Sequence, residues 1–83
     1  MMINEEKVIE IVKRSLKLDS DSITINSSSE NIDEWNSLEH LSILVAIDEE
    51  LKGKAGEIDD LAKATSVRGI LDAINKHYSE NDG

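Results

Sequence analysis

Apolar residues recur at helical spacing in three separate segments of this chain, and nowhere does an alternating run of the kind a half-buried strand needs appear. From Asn4 to about Leu18, Val8, Ile11, Val12, Ser15 and Leu16 repeat in this way. Glu5 and Glu6 come early and Lys13, Arg14 and Lys17 late, an order that suits a helix dipole at both ends. Leu38 to Leu51 is a second helical run, and Asn36 followed three residues later by Glu39 has the form of a capping box. Lys52-Gly53-Lys54-Ala55-Gly56 then carries the glycines that stop a helix, and Asp59-Asp60 is expected to cap a short helix through Ala64. Thr65 or Ser66 caps the last helix, whose apolar stripe is Val67, Ile70, Leu71, Ile74 and, at its far end, Tyr78, with residues 79–83 expected to fray. The predicted fold is all-α: a bundle of three main helices with a short one before the last, in a single domain over residues 1–83.

The segment from Asp19 to Trp35 is rich in Ser, Asp and Asn, with Ile23, Ile25 and Ile32 scattered through it. This pattern predicts a long ordered loop pinned by isoleucines. A connector of this length in a small domain more often signals function or disorder than simple linkage. It delivers Ser37 to the mouth of the second helix, exposed in the first turn, where backbone N–H groups have no intrahelical partners and favour anionic groups.

The second helix has two apolar faces. At about 100° per residue, Ile43, Leu44, Ile47 and Leu51 fall on one side, assigned to the core. Leu38, Leu41 and Val45 form another stripe, with Glu49 on it and Ser37 and Asp48 beside it. A small domain cannot cover both faces, so part of the second is a contact surface. Leu41 stands at its margin, with core and surface equally open to it, whereas Leu38 and Val45 are the clearer contact residues.

Ile32-Asp33-Glu34-Trp35-Asn36-Ser37-Leu38, with the helix running on to Asp48-Glu49-Glu50-Leu51, resembles the serine motif and second helix of acyl carrier proteins. Leu61-Ala62-Lys63-Ala64-Thr65-Ser66-Val67 is similar to that family's short third helix and the start of its last, so the resemblance spans nearly the whole chain. It implies that Ser37 bears 4′-phosphopantetheine, taken from coenzyme A, whose thiol holds acyl intermediates as thioesters for fatty-acid, polyketide or related synthesis. It also implies partners: a phosphopantetheinyl transferase, and acyl-loading and acyl-processing enzymes whose basic patches meet Leu38, Glu39, Leu41, Val45, Asp48 and Glu49. Two positions depart from the family pattern. Asn36 replaces the usual Asp before the serine, keeping a capping side chain but losing its charge, and Ser42 stands where an acidic residue is frequent, which points to a different partner set.

At 83 residues the chain is too short to enclose an enzyme pocket with a supporting shell, so catalysis by this chain alone is not expected, and the resemblance implies a carrier. With no cysteine, packed helices must supply the stability. A net charge of −9 disfavours nucleic acid and anionic membranes and favours basic partners, while also keeping a small domain soluble and monomeric. Met1 to Glu6 has no basic segment leading into an apolar one, and no apolar run reaches spanning length, so a cytoplasmic protein is expected.

Other constellations are weaker. Asp19-Ser20-Asp21 with Glu30 has the outline of a calcium loop, but Ile23 falls where an oxygen ligand belongs and Thr24 where the turn needs glycine. Ser37 and His40 lie three apart without a glycine-rich elbow or oxyanion loop, so His40 reads as structural. His77 has no companion at metal spacing, and no metal site is expected. The competing function is an acidic helical adaptor that uses the Leu38–Val45 surface without modification.

Overall fold

The computed structural model describes residues 4–18 and 22–82, with side chains through residue 77. Its elements are α1 (Glu5–Leu16), α2 (Ser37–Glu50), two 3-10 helices (Ala55–Glu57 and Asp59–Lys63) and α3 (Val67–Asp82). The protein is a small all-α bundle. Among the described residues there is no strand, only an isolated antiparallel bridge between Ser28 and Ser66. Asp19-Ser20-Asp21 and the side chain of Tyr78 lie outside the described residues.

Each long helix begins where a short polar side chain can replace a missing intrahelical acceptor. Asn4 Oδ1 accepts from Lys7 N–H at 2.8 Å, Asn36 Oδ1 from Glu39 N–H at 2.9 Å, and Ser66 Oγ from Gly69 N–H at 3.0 Å. Ser66, not Thr65, is thus the cap of α3. A Cβ on Gly69 would come within 2.9 Å of Ser66 Oγ, so the cap fits closely against a bare backbone. Helix α1 stops at Leu16, two residues short of the sequence expectation, because Lys17 turns into the left-handed region (φ 60°) and Leu18 N–H closes back on Lys13 O. Helix α2 stops in the same manner. Lys52 takes φ 57°, and Lys52 and Gly53 N–H bond Glu49 O and Asp48 O, which satisfies carbonyls the helix end would leave open.

The short helix expected through Ala64 is the 3-10 helix Asp59–Lys63, and a further 3-10 turn, Ala55–Glu57, precedes it. Asp59 and Asp60 lie inside the second turn, and Ile58 precedes it with no side-chain cap. Ile58 and Leu61 are buried, so apolar anchoring sets this segment rather than capping.

Val8, Ile11, Val12 and Leu16 of α1 meet Ile43, Ile47 and Leu51 around α2, and Val67, Ile70, Ala73 and Ile74 of α3 complete the core. Leu44, assigned to the core by helical projection, is only half-buried at its edge, as is Leu71. The first loop is ordered as expected over its described part. Ile23 is buried and Ile25 and Ile32 pack against the core, while Ser29 N–H to Thr65 O (2.9 Å) and Val67 N–H to Ser27 O (3.0 Å) tie the loop to the start of α3. Those two bonds hold the chain on its way to Ser37.

Candidate functional site around Ser37

Ser37 is the first residue of α2 and is exposed. Asn36 satisfies the Glu39 N–H with its side chain and the His40 N–H with its carbonyl (2.8 Å), leaving Ser37 and Leu38 N–H without intrahelical partners. Among the described residues the reciprocal bond of a full capping box, from Asn36 N–H to the Glu39 carboxylate, does not form. Beside Ser37 lies a groove of about 510 Å³, with Ser29, Trp35, Asn36, His40 and Thr65 among its lining.

The floor of this groove is a pair the sequence did not announce. Trp35, 2% exposed, donates its indole Nε1–H to His40 Nδ1 at 3.1 Å, and His40 is 7% exposed. The ring planes are 23° apart with centroids separated by 6.2 Å, an edge-to-edge arrangement in line with that bond rather than a face-to-face stack. His40 is therefore buried and tied to Trp35. The available signal was spacing: Trp35 and His40 occupy the positions just before the cap and one turn inside, where a staple across a helix start forms.

The outer face of α2 is bare. Leu38, Leu41 and Val45 are 71%, 58% and 60% exposed, which places Leu41 on the surface stripe. Leu41 and Val45 run into a second, apolar groove of about 650 Å³, closed on the far side by Ala55, Ile58 and Leu61. Projection of α2 alone could not show this groove, because its other wall, Ala55, Ile58 and Leu61, lies beyond the end of that helix.

The acids at the end of α2 differ in their surroundings. Glu49 is exposed, Glu50 pairs with Lys7 of α1 at 3.3 Å, and half-buried Asp48 accepts from Ala55 N–H at 3.1 Å. Asp48 thus holds the first 3-10 turn against α2, a structural duty that its expected partner role did not include. Glu39 is half-buried in the first turn.

An exposed hydroxyl beside two open N–H groups, at the positive end of a 14-residue helix, suits an anionic phosphodiester. Among the described residues no group of three or more His, Cys, Asp or Glu is placed to hold a metal, and no helix is long and apolar enough to cross a membrane. Comparison of the chain with family models, curated proteins and solved structures finds no match.

Proposed function

We propose that this chain is an acyl carrier whose Ser37 receives 4′-phosphopantetheine. The observation that carries the reading is the placement of Ser37: exposed at the first position of an asparagine-capped helix, with the bare Leu38–Val45 stripe on the same element. In the reaction the Ser37 hydroxyl oxygen bonds to the pantetheine-side phosphorus of coenzyme A. The bond from that phosphorus to the 3′,5′-bisphosphorylated nucleotide breaks, the nucleotide leaves, and the serine proton passes to a base of the transferase. Once attached, the group supplies a thiol for acyl thioesters. The chain itself presents and orients, and the processing enzymes perform the chemistry. The open N–H groups of the first turn belong to Ser37 and its neighbour Leu38, a favourable place for the new negative charge, and the apolar stripe with Glu49 offers enzymes with basic rims a docking face.

Intact mass before and after incubation with a phosphopantetheinyl transferase, coenzyme A and magnesium tests this reading. The expected result is the addition of one phosphopantetheine, mapped to Ser37 and abolished by Ser37→Ala. An unmodified adaptor is favoured by the same exposed leucines. It predicts no mass gain and partner binding that survives Ser37→Ala.

A further inference from the structure

We propose that Trp35 and His40 form a hydrogen-bonded staple that fixes the start of α2 and so sets the direction of the Ser37 hydroxyl; both are positioning residues, and the proposal rests on the carrier reading above. An indole N–H can only donate, so His40 Nδ1 is the acceptor. The Trp35 backbone is itself held, its N–H bonding Ile32 O at 3.0 Å. Residues 35–40 are therefore closed by three bonds: Trp35 to His40 through the side chains, Asn36 Oδ1 to Glu39 N–H, and Asn36 O to His40 N–H. Within that closed segment Ser37 and Leu38 are exposed while Trp35 and His40 are buried.

A purely apolar staple fixes the angle at which the chain meets the helix by packing alone. Here the contact is a directional bond between two buried rings. Removing its acceptor leaves a buried indole N–H unpaired, and the simplest relief is for Trp35 to move toward water. Trp35 is two residues from Ser37, and both side chains border the same groove, so such a movement shifts the serine hydroxyl. Phosphoryl transfer depends on alignment of the attacking oxygen, so a displacement of this kind lowers turnover more than affinity.

The test compares the full-length parent with Trp35→Phe, His40→Leu, their double variant and His40→Asn, whose side-chain oxygen can stand in for Nδ1. Each is given a transferase, coenzyme A and magnesium at a temperature where all are folded. The expected result is that Trp35→Phe and His40→Leu each lower kcat about tenfold with KM changed less than about twofold. The double variant should be no slower than the slower single, and His40→Asn should recover most of the rate. Parental kcat in both singles, or additive losses with no recovery in His40→Asn, would overturn the proposal. If the parent gains no mass, the carrier reading fails separately, and amide exchange decides the staple. Faster exchange at Glu39 and His40 in Trp35→Phe supports it, and unchanged exchange there overturns it.

Discussion

Helices α1 and α2 are neighbours of similar length, and they obey different rules. In α1 every level agrees: an Asn4 cap, acids in the first turn, Lys13 and Arg14 in the last, and one buried face of Val8, Ile11, Val12 and Leu16. In α2 the cap agrees but much of the rest conflicts. It has apolar residues on two faces, no basic residue in its last turn, and Asp48-Glu49-Glu50 set against the negative end of the dipole. A sequence under selection for folding alone has no reason to keep both conflicts. Local rules tend to be broken where function demands it. By that criterion α1 supports the fold, and the outer face of α2 is the face we propose for partners.

The largest effects should separate the two faces of α2 and align its inner one with α1. Ile11→Ala and Ile47→Ala each empty a fully buried position, and each should lose about 2–5 kcal/mol in chemical denaturation. Val45→Ala should change stability by less than about 0.5 kcal/mol. A Val45→Ala loss as large as that of Ile47→Ala would mean that the outer stripe is part of the core, and the contrast between the helices would collapse.

Next come the caps, where the helices should behave alike. Asn4→Ala and Asn36→Ala each remove a side-chain acceptor from an N–H of the first turn, at about 0.5–2 kcal/mol. Asn36→Asp keeps the acceptor and adds a charge, so thermal melting should show a retained fold. Under the carrier reading it should also speed transfer to Ser37. An equal or slower rate across a panel of transferases would show that a carboxylate at this position does not assist modification here.

The same contrast explains what the sequence made legible. The three long helices and the cap Asn36 were readable because periodicity and capping are local, each set by residues within one turn. The outer stripe of Leu38, Leu41 and Val45 was readable for the same reason. Two features were hidden because they join residues that no local rule pairs: Asp48 bonds a backbone N–H seven residues on, and the groove beside Val45 takes its far wall from Ile58 and Leu61. The Trp35–His40 pair is different, because its spacing across the cap is that of a local staple. The cap of the short helix was misread because Asp59-Asp60 has the composition of a cap, while the buried Ile58 and Leu61 hold the segment.

Asp48 and Glu49 sharpen the comparison at smaller scale. Asp48→Ala removes the acceptor from Ala55 N–H and should lose about 0.5–1.5 kcal/mol, loosening the first 3-10 turn. Reversing Asp48 and Glu49 together would confound a structural bond with a surface charge, so the two must be changed separately. Equal stability for Asp48→Ala and the parent would show that the Ala55 bond contributes nothing measurable and return Asp48 to the docking face.

A small effect on stability, and the most telling one for function, belongs to Glu49. Its neighbours are committed, Glu50 to Lys7 and Asp48 to Ala55, whereas Glu49 is exposed and makes neither kind of tie among the described residues. An acid in the last turn opposes the dipole, so Glu49→Lys should stabilise slightly, by about 0.3–1 kcal/mol at low salt. If Glu49 belongs to a docking rim, the same change should slow association with a basic cognate enzyme and flatten its salt dependence, because rim charges act mainly on encounter. Val45→Ser should leave the encounter rate alone and speed dissociation, because a desolvated apolar contact governs how long a complex lasts. Stopped-flow binding at two salt concentrations separates these outcomes. A Glu49→Lys protein that is more stable yet binds more slowly would identify an acid retained against the interest of its own helix; parental binding by both variants would move the docking face away from α2.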